Sequence, residues 1–225
     1  MGMRKSLDRT PSYFPSGVWQ DLLLHAFTLI DEIAKHGGIE HPTWTFGGGT
    51  VLMLRHQHRL SKDIDIFVPD PQYLGFVSPR LSDVAESVTL DYVEGPNYIK
   101  LLRPEGEIDF VAAPNLTQSP YEEWNILGRQ VKVETSAEIV AKKLFHRGDR
   151  ATARDLFDLA LVIEREPEEL ASASDFLVRH RDVFLSQIQQ RRAVLQGQYD
   201  AIDKLDFDTG YDDAADKATV FLRSL

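Results

Sequence analysis

Two short stretches constrain this chain more than any others. Phe46-Gly47-Gly48-Gly49-Thr50 is followed, after the 13 residues between Gly49 and Asp63, by Asp63-Ile64-Asp65-Ile66-Phe67. Acid and isoleucine alternate in the second stretch, which is a strand pattern, because successive side chains of a strand point to opposite faces. Ile64 and Ile66 are therefore expected in a core, with Asp63 and Asp65 together on the other face. Two carboxylates about 6–7 Å apart on one strand face repel each other unless a cation lies between them. Hard oxygen ligands on a rigid strand suit Mg²⁺, which takes one or two protein carboxylates together with substrate phosphates. The glycines let backbone approach a phosphate closely, and the N–H groups of a following helix turn toward the anion. Glycine turn, helix and acidic strand together read as a site for a nucleotide and a metal.

Each element has a bland reading on its own: a solvated strand face, an ordinary glycine turn. A third strand aspartate tips the balance. Asp109, in Glu107-Ile108-Asp109-Phe110-Val111, lies between apolar residues in a strand that can pair beside the first. Three carboxylates converging on one sheet face would hold two Mg²⁺ about 3.5–4 Å apart. One ion orients or activates the attacking hydroxyl, and the other steadies a triphosphate and its leaving pyrophosphate. Asp109 is also the candidate general base, or else the ligand of the metal that lowers the nucleophile's pKa.

Composition narrows the setting. With 225 residues, 43% of them hydrophobic, the chain has ample core for one or two domains. It shows no apolar run of the roughly 18–20 residues that span a bilayer and no signal-peptide core at its start, so no membrane partner is expected. It has no cysteine, which excludes disulfides and cysteine-ligated zinc; the expected location is cytoplasmic. A net charge of −10 argues against a surface coated for nucleic acid. The charge is uneven, however: Arg129 to Arg154 carries seven Lys/Arg against three acids, and Asp200 to Leu225 seven aspartates against three basic residues. Any nucleic-acid contact should be local.

The first dozen residues read as frayed. Apolar spacing predicts an amphipathic helix over 17–36, ended by Gly37-Gly38. A short strand over 43–46 runs into the glycines, a helix follows over 50–58, and the acidic strand covers 63–68, stopped by Pro69-Asp70-Pro71. Residues 79–88 read as a helix. Residues 98–103 and 107–112 form a hairpin about Pro104-Glu105-Gly106, and 130–134 is a further strand. Residues 136–147 and 152–164 make a helical hairpin around Gly148. The acidic, proline-containing stretch 164–170 is the best candidate boundary, and helices at 174–197 and 211–224 complete the chain. The expected class is α/β (α+β), a mixed sheet flanked by helices and followed by a helical C-terminal half. The expected domains are residues 1–133 and 134–225. His56 and His58, two apart on the predicted helix, point in different directions and make a poor metal pair.

Gly48-Gly49, thirteen residues, then Asp63-Ile64-Asp65-Ile66 resembles the signature of the DNA polymerase β-like nucleotidyltransferases. The finer pattern is similar to the AbiEii/AbiGii family of nucleotidyltransferase toxins. It comprises Gly-Gly-Gly-Thr-Val-Leu, His58-Arg59-Leu60-Ser61-Lys62-Asp63, Ile108-Asp109-Phe110, and Lys142-Lys143-Leu144-Phe145-His146-Arg147 followed by Arg154-Asp155-Leu156-Phe157-Asp158. The resemblance implies a nucleotidyltransferase fold and transfer of an NMP from an NTP substrate to an acceptor hydroxyl. It implies an RNA 3′ end such as tRNA as acceptor, and a separate antitoxin as partner. It assigns Gly48, Gly49 and Ser61 to the nucleotide phosphates and Asp63, Asp65 and Asp109 to the metal. Lys142 goes to the triphosphate, and Asp155 to tethering that lysine or positioning the acceptor. Lys143 competes with Lys142 for its role. Arg154, Asp155 and Asp158 have an alternative reading as a structural ion-pair network, and Arg147 and Arg150 as solvated charges or a path for a nucleic-acid backbone. Other acceptors within the superfamily, a small molecule or a protein side chain, stay open, as does a non-catalytic nucleotide-binding module. Paired acids kept without a cation only reduce stability, which counts against the last.

Overall fold

The computed structural model describes residues 10–38 and 40–225. The frayed start expected for the first dozen residues lies, up to residue 9, outside the described residues. Just beyond it the chain is held: Asn125 N–H donates to Thr10 Oγ1 (2.9 Å), and Phe14 packs on Trp19 and Trp124. Two compact units divide the chain. One comprises residues up to Leu54, Ser61–Asn115 and Tyr121–Glu134; the other comprises Arg55–Leu60, Leu116–Pro120 and Thr135–Leu225.

The first unit opens with α1 (Trp19–His36), whose buried stripe runs from Trp19 through Leu22, Leu23, Ala26, Phe27 and Ile30 to Ile33. It continues with β1 (Thr45–Gly47), the start of α2 (Gly48–His56), β2 (Ile64–Val68), α3 (Asp83–Val88) and β3 (Tyr92–Gly95). Strands β4 (Tyr98–Arg103), β5 (Gly106–Ala112), β6 (Tyr121–Ile126) and β7 (Arg129–Glu134) complete it. They form one mixed seven-stranded sheet in the order β3-β4-β5-β2-β1-β7-β6. β1 runs antiparallel to β2, whereas β2 with β5 and β1 with β7 are parallel. α1 packs against β2 and β5.

The expected hairpin over 98–112 is present, with Arg103 opposite Gly106. Two strands that periodicity does not predict, β3 and β6, are the two edges of the sheet. An edge strand needs only a partial apolar stripe, and Tyr-Glu-Glu-Trp-Asn-Ile in β6 buries just Trp124 and Ile126. Its turn to β7 places Leu127 and Gly128 at positive φ (52° and 79°), the backbone of a tight hairpin whose twist matches its strands. The helix expected over 79–88 is shorter, because Ser82 caps it by accepting from Ala85 N–H. A 3₁₀ turn over Pro71–Phe76, capped by Asp70, precedes it.

The second unit is helical: α4 (Ser136–Arg147), α5 (Ala153–Arg165), α6 (Pro167–Ala171), α7 (Ser174–Leu177), α8 (Arg181–Gln190), α9 (Arg192–Asp200) and α10 (Tyr211–Ser224). Thr135 and Thr152 cap α4 and α5, accepting from the N–H groups of Glu138 and Asp155. The stretch 164–170 is not a boundary. It is the end of α5 and the start of α6, with Leu170 fully buried. The long helix expected over 174–197 is three shorter ones. The breaks at Val178–His180 and at Arg191 barely disturb the spacing of buried Leu177, Phe184, Leu185, Ile188 and Leu195, so periodicity does not reveal them. Residues 57–60, expected to be partly helical, leave α2 through Gln57 at positive φ (51°) and pair with residues 203–206. Among the described residues no helix is long and apolar enough to cross a membrane.

Candidate active site

The acids meet through strand register. In β2 the buried residues are Ile64, Ile66 and Val68, and Asp65 and Phe67 are only partly covered; β5 alternates likewise, with Ile108 and Phe110 buried. Parallel pairing sets Asp65 directly beside Asp109, as Ile64 sits beside Ile108. Asp63, one residue before β2, is bound to the same edge: its Oδ1 accepts from Glu107 N–H (3.0 Å). The sheet therefore presents Asp63, Asp65, Glu107 and Asp109 on the face opposite the isoleucine core.

The glycines stand against these acids. Gly48 has φ of +74°, and a Cβ built on it would lie 1.8 Å from Asp65 Oδ2. Glycine is required there twice over, for backbone and for space. Gly48 and Gly49 form the first turn of α2, so this helix N-terminus opens beside Asp65. Thr50, fully buried, donates to the Asp63 carbonyl (2.6 Å) and lies 3.1 Å from Ser61 Oγ. One hydroxyl thus ties the glycine turn, Ser61 and the start of the acidic strand together.

Lys100 of β4 is the register partner of Asp109. Its Nζ lies 2.9 Å from Asp109 Oδ2 and also pairs with Glu107. Burial works to lower its pKa, but the two carboxylates outweigh burial and hold the ammonium well above its ordinary value. Burial pushes the Asp109 carboxyl up; Lys100 opposes that shift, and Glu107 and Asp63 add to it. Asp109 Oδ1 is buried and has no hydrogen-bond partner among the described residues. Nor, among those residues, do three His, Cys, Asp or Glu side chains form a ready metal cage. The donor set nonetheless fits a hard divalent cation: oxygens only, on adjacent strands, one of them buried without a partner.

The other two expected residues belong to the second unit. Lys142 is buried beside Glu138 (Nζ to Oε1 3.4 Å), and Glu138 itself accepts from the N–H groups of Leu116 and Thr117. Asp155 pairs with Lys143 (3.2 Å), the competitor of Lys142, and with Arg147 (2.6 Å). One residue is about 100° around a helix, so Lys143 and Arg147, four apart, share the face that meets Asp155. Asp158 completes a buried network: Lys143 at 2.5 Å, Arg59 at 2.7 Å and His58 at 2.9 Å. Burial works to raise Asp158, but Arg59 and Lys143 hold it well below the usual carboxylate range. The structural reading of Asp158 as an ion-pair centre is the one the geometry shows. Its cations are Arg59 and Lys143, whereas Arg154 is exposed.

Sequence reasoning assigns no role to Thr50, Lys100 or Glu107. Thr50 follows the glycines directly. Lys100 and Glu107 carry no local signal, because only the pairing of β4 with β5 brings them together.

A family model described as "Nucleotidyl transferase AbiEii toxin, Type IV TA system" matches residues 38–219. No curated protein is significantly similar to the chain. Among solved structures it resembles MenT4, a nucleotidyltransferase toxin from Mycobacterium tuberculosis. That match has 18% identity and a TM-score of 0.53, and covers 94% of this chain and 86% of that one. It also resembles JHP933 from Helicobacter pylori, with 18% identity and a TM-score of 0.45 over 91% of each chain. At these identities the likeness to MenT4 speaks for the fold alone.

Proposed function

We propose a function from the premise that this chain is a member of the family it matches: it belongs to the AbiEii nucleotidyltransferase toxins of type IV toxin–antitoxin systems. It is a nucleotidyltransferase, and the family implies an NTP substrate and an antitoxin partner. The finer reading is a Mg²⁺-dependent, cytoplasmic enzyme that moves an NMP from an NTP to a hydroxyl at an RNA 3′ end, tRNA by the resemblance. One observation carries it: Asp65 and Asp109 lie side by side in register, against a glycine turn at a helix N-terminus.

Asp63, Asp65 and Asp109 would hold the divalent ion. When bound, that ion supplies positive charge for the triphosphate and for the developing nucleophile. The backbone N–H groups of Gly48 and Gly49, with the Ser61 hydroxyl, receive phosphate oxygens. The acceptor oxygen bonds to the α-phosphorus as the bond from that phosphorus to pyrophosphate breaks, and the hydroxyl proton goes to a base. Asp109, as a ligand of that ion, would help lower the pKa of the acceptor hydroxyl, and solvent takes the proton. Lys142 and Asp155 keep their roles toward triphosphate and acceptor on the resemblance alone. The basic segment from Arg129 to Arg154, with seven Lys/Arg against three acids, supports an acceptor with a phosphate backbone.

Each of four labelled NTPs is offered with total RNA and, separately, with total protein. Labelled RNA that disappears with Asp63→Ala supports the reading. Labelling confined to protein or small molecules replaces the acceptor, and labelling that survives Asp63→Ala defeats the assignment of the site.

A further inference from the structure

We propose that Lys100 is a resident cation of the acidic face, so that the site works with one divalent ion where three carboxylates would otherwise take two. The inference rests on the reading of Asp63, Asp65 and Asp109 as cation ligands and goes beyond it by setting the number of ions. In β4, Ile99 and Leu101 are buried and Lys100 between them is only partly covered, so alternation puts the lysine on the acids' face. Antiparallel pairing then sets it opposite Asp109, at the separation where cross-strand side chains touch. From there one ammonium reaches two acids, Asp109 at 2.9 Å and Glu107. A lone surface pair would contribute little energy. This lysine instead pairs with two members of a cluster whose charges repel, and lysine is a compact point charge on a flexible stem.

The consequence follows from Asp109's two oxygens. A carboxylate that bridges two metal ions offers an oxygen to each. Here Oδ2 is taken by Lys100, and Oδ1 is buried without a partner among the described residues. Asp109 therefore has one oxygen left to offer, beside its register neighbour Asp65. Lys100 is a positioning residue: it holds Asp109 and puts positive charge where a second ion would otherwise sit.

Mn²⁺ binding to the whole protein tests this, with a non-hydrolysable NTP analogue present, by calorimetry and by electron paramagnetic resonance. Wild type and Lys100→Arg are expected to take up one Mn²⁺. Lys100→Met is expected to take up a second, with the spin coupling of ions about 3.5–4 Å apart. Two ions in wild type, or one in a folded Lys100→Met, overturn the inference and leave the cation site standing. No Mn²⁺ bound by wild type, or unchanged uptake in Asp65→Asn, overturns the cation site itself. If Lys100→Met does not fold, Lys100→Gln replaces it, and the wild-type count still decides.

Discussion

The two units handle buried carboxylates in opposite ways. On the sheet of the first, Asp63, Asp65, Glu107 and Asp109 share one face, and Lys100 pairs with Glu107 and Asp109. In the helical unit, Asp155 and Asp158 are met by Arg59, Lys143, Arg147 and His58. The second arrangement is balanced, and its carboxyls are held below their usual range. The first gathers four carboxylates on one sheet face, and burial holds Asp109 above its ordinary value. Like charges gathered at a half-open face are what a cation-binding site needs, whereas carboxylates ringed by cations in the interior are what a structural ion-pair network needs.

The largest break in the comparison is expected from removing one acid on each side. Asp158→Ala removes the buried carboxylate that Arg59, Lys143 and His58 share and should destabilise the protein by about 3–5 kcal/mol in chemical denaturation. Asp65→Asn should act mainly on activity. Its stability loss should be the smaller of the two, because it removes one of four like charges from a shared face, while transfer activity falls by more than the roughly 10–100-fold that loss of an outer-shell partner brings. Similar stability losses for the two variants would erase the distinction.

Gly48→Ala comes next, since its new Cβ would meet Asp65 at a backbone angle that L-residues avoid. About 1–3 kcal/mol should be lost, together with metal-dependent nucleotide binding, as calorimetry would show. Full nucleotide binding in a folded Gly48→Ala would mean that the turn does not cradle the phosphate.

The smallest effect is one of pH. Burial lowers His58; Asp158 opposes that shift, and Arg59 and Lys143 add to it. An imidazole with a lowered folded pKa binds its proton more readily when unfolded. Its stabilising contribution is therefore present above its ordinary value of 6.5 and is lost as pH falls from there toward the folded value. Each tenfold difference in proton affinity between the unfolded and folded chain is worth about 1.4 kcal/mol. Partly exposed His25 and His146, also lowered by burial, add a screened share over the same range. Asp155 and Asp158 add a second limb, lost only as pH falls below 3.8. Melting temperature measured between pH 7.5 and 5.5 should fall in wild type and fall less in His58→Gln. An equal fall in both would remove His58 from the balance.

The spacing of residues sufficed for some features and could not reach others. Alternation in Asp63-Ile64-Asp65-Ile66 places acids opposite a core, because a strand has period two whatever surrounds it. The glycines ahead of α2 are legible for the same local reason: only glycine takes φ of +74° without strain. Helices with strong caps and stripes, such as α4 and α5, are legible too, whereas the edge strands β3 and β6 are not, since their pattern is only half apolar. Identity of partners is a different matter. That Asp109 stands beside Asp65 and opposite Lys100 depends on strand order and register, which come from contacts between residues far apart in the chain. That Asp155 meets Lys143 depends on one residue's rotation of α4 against α5. Local pattern is enough to say which residues carry charge and which faces they share; which charges meet depends on pairing across strands and helices that no local pattern joins.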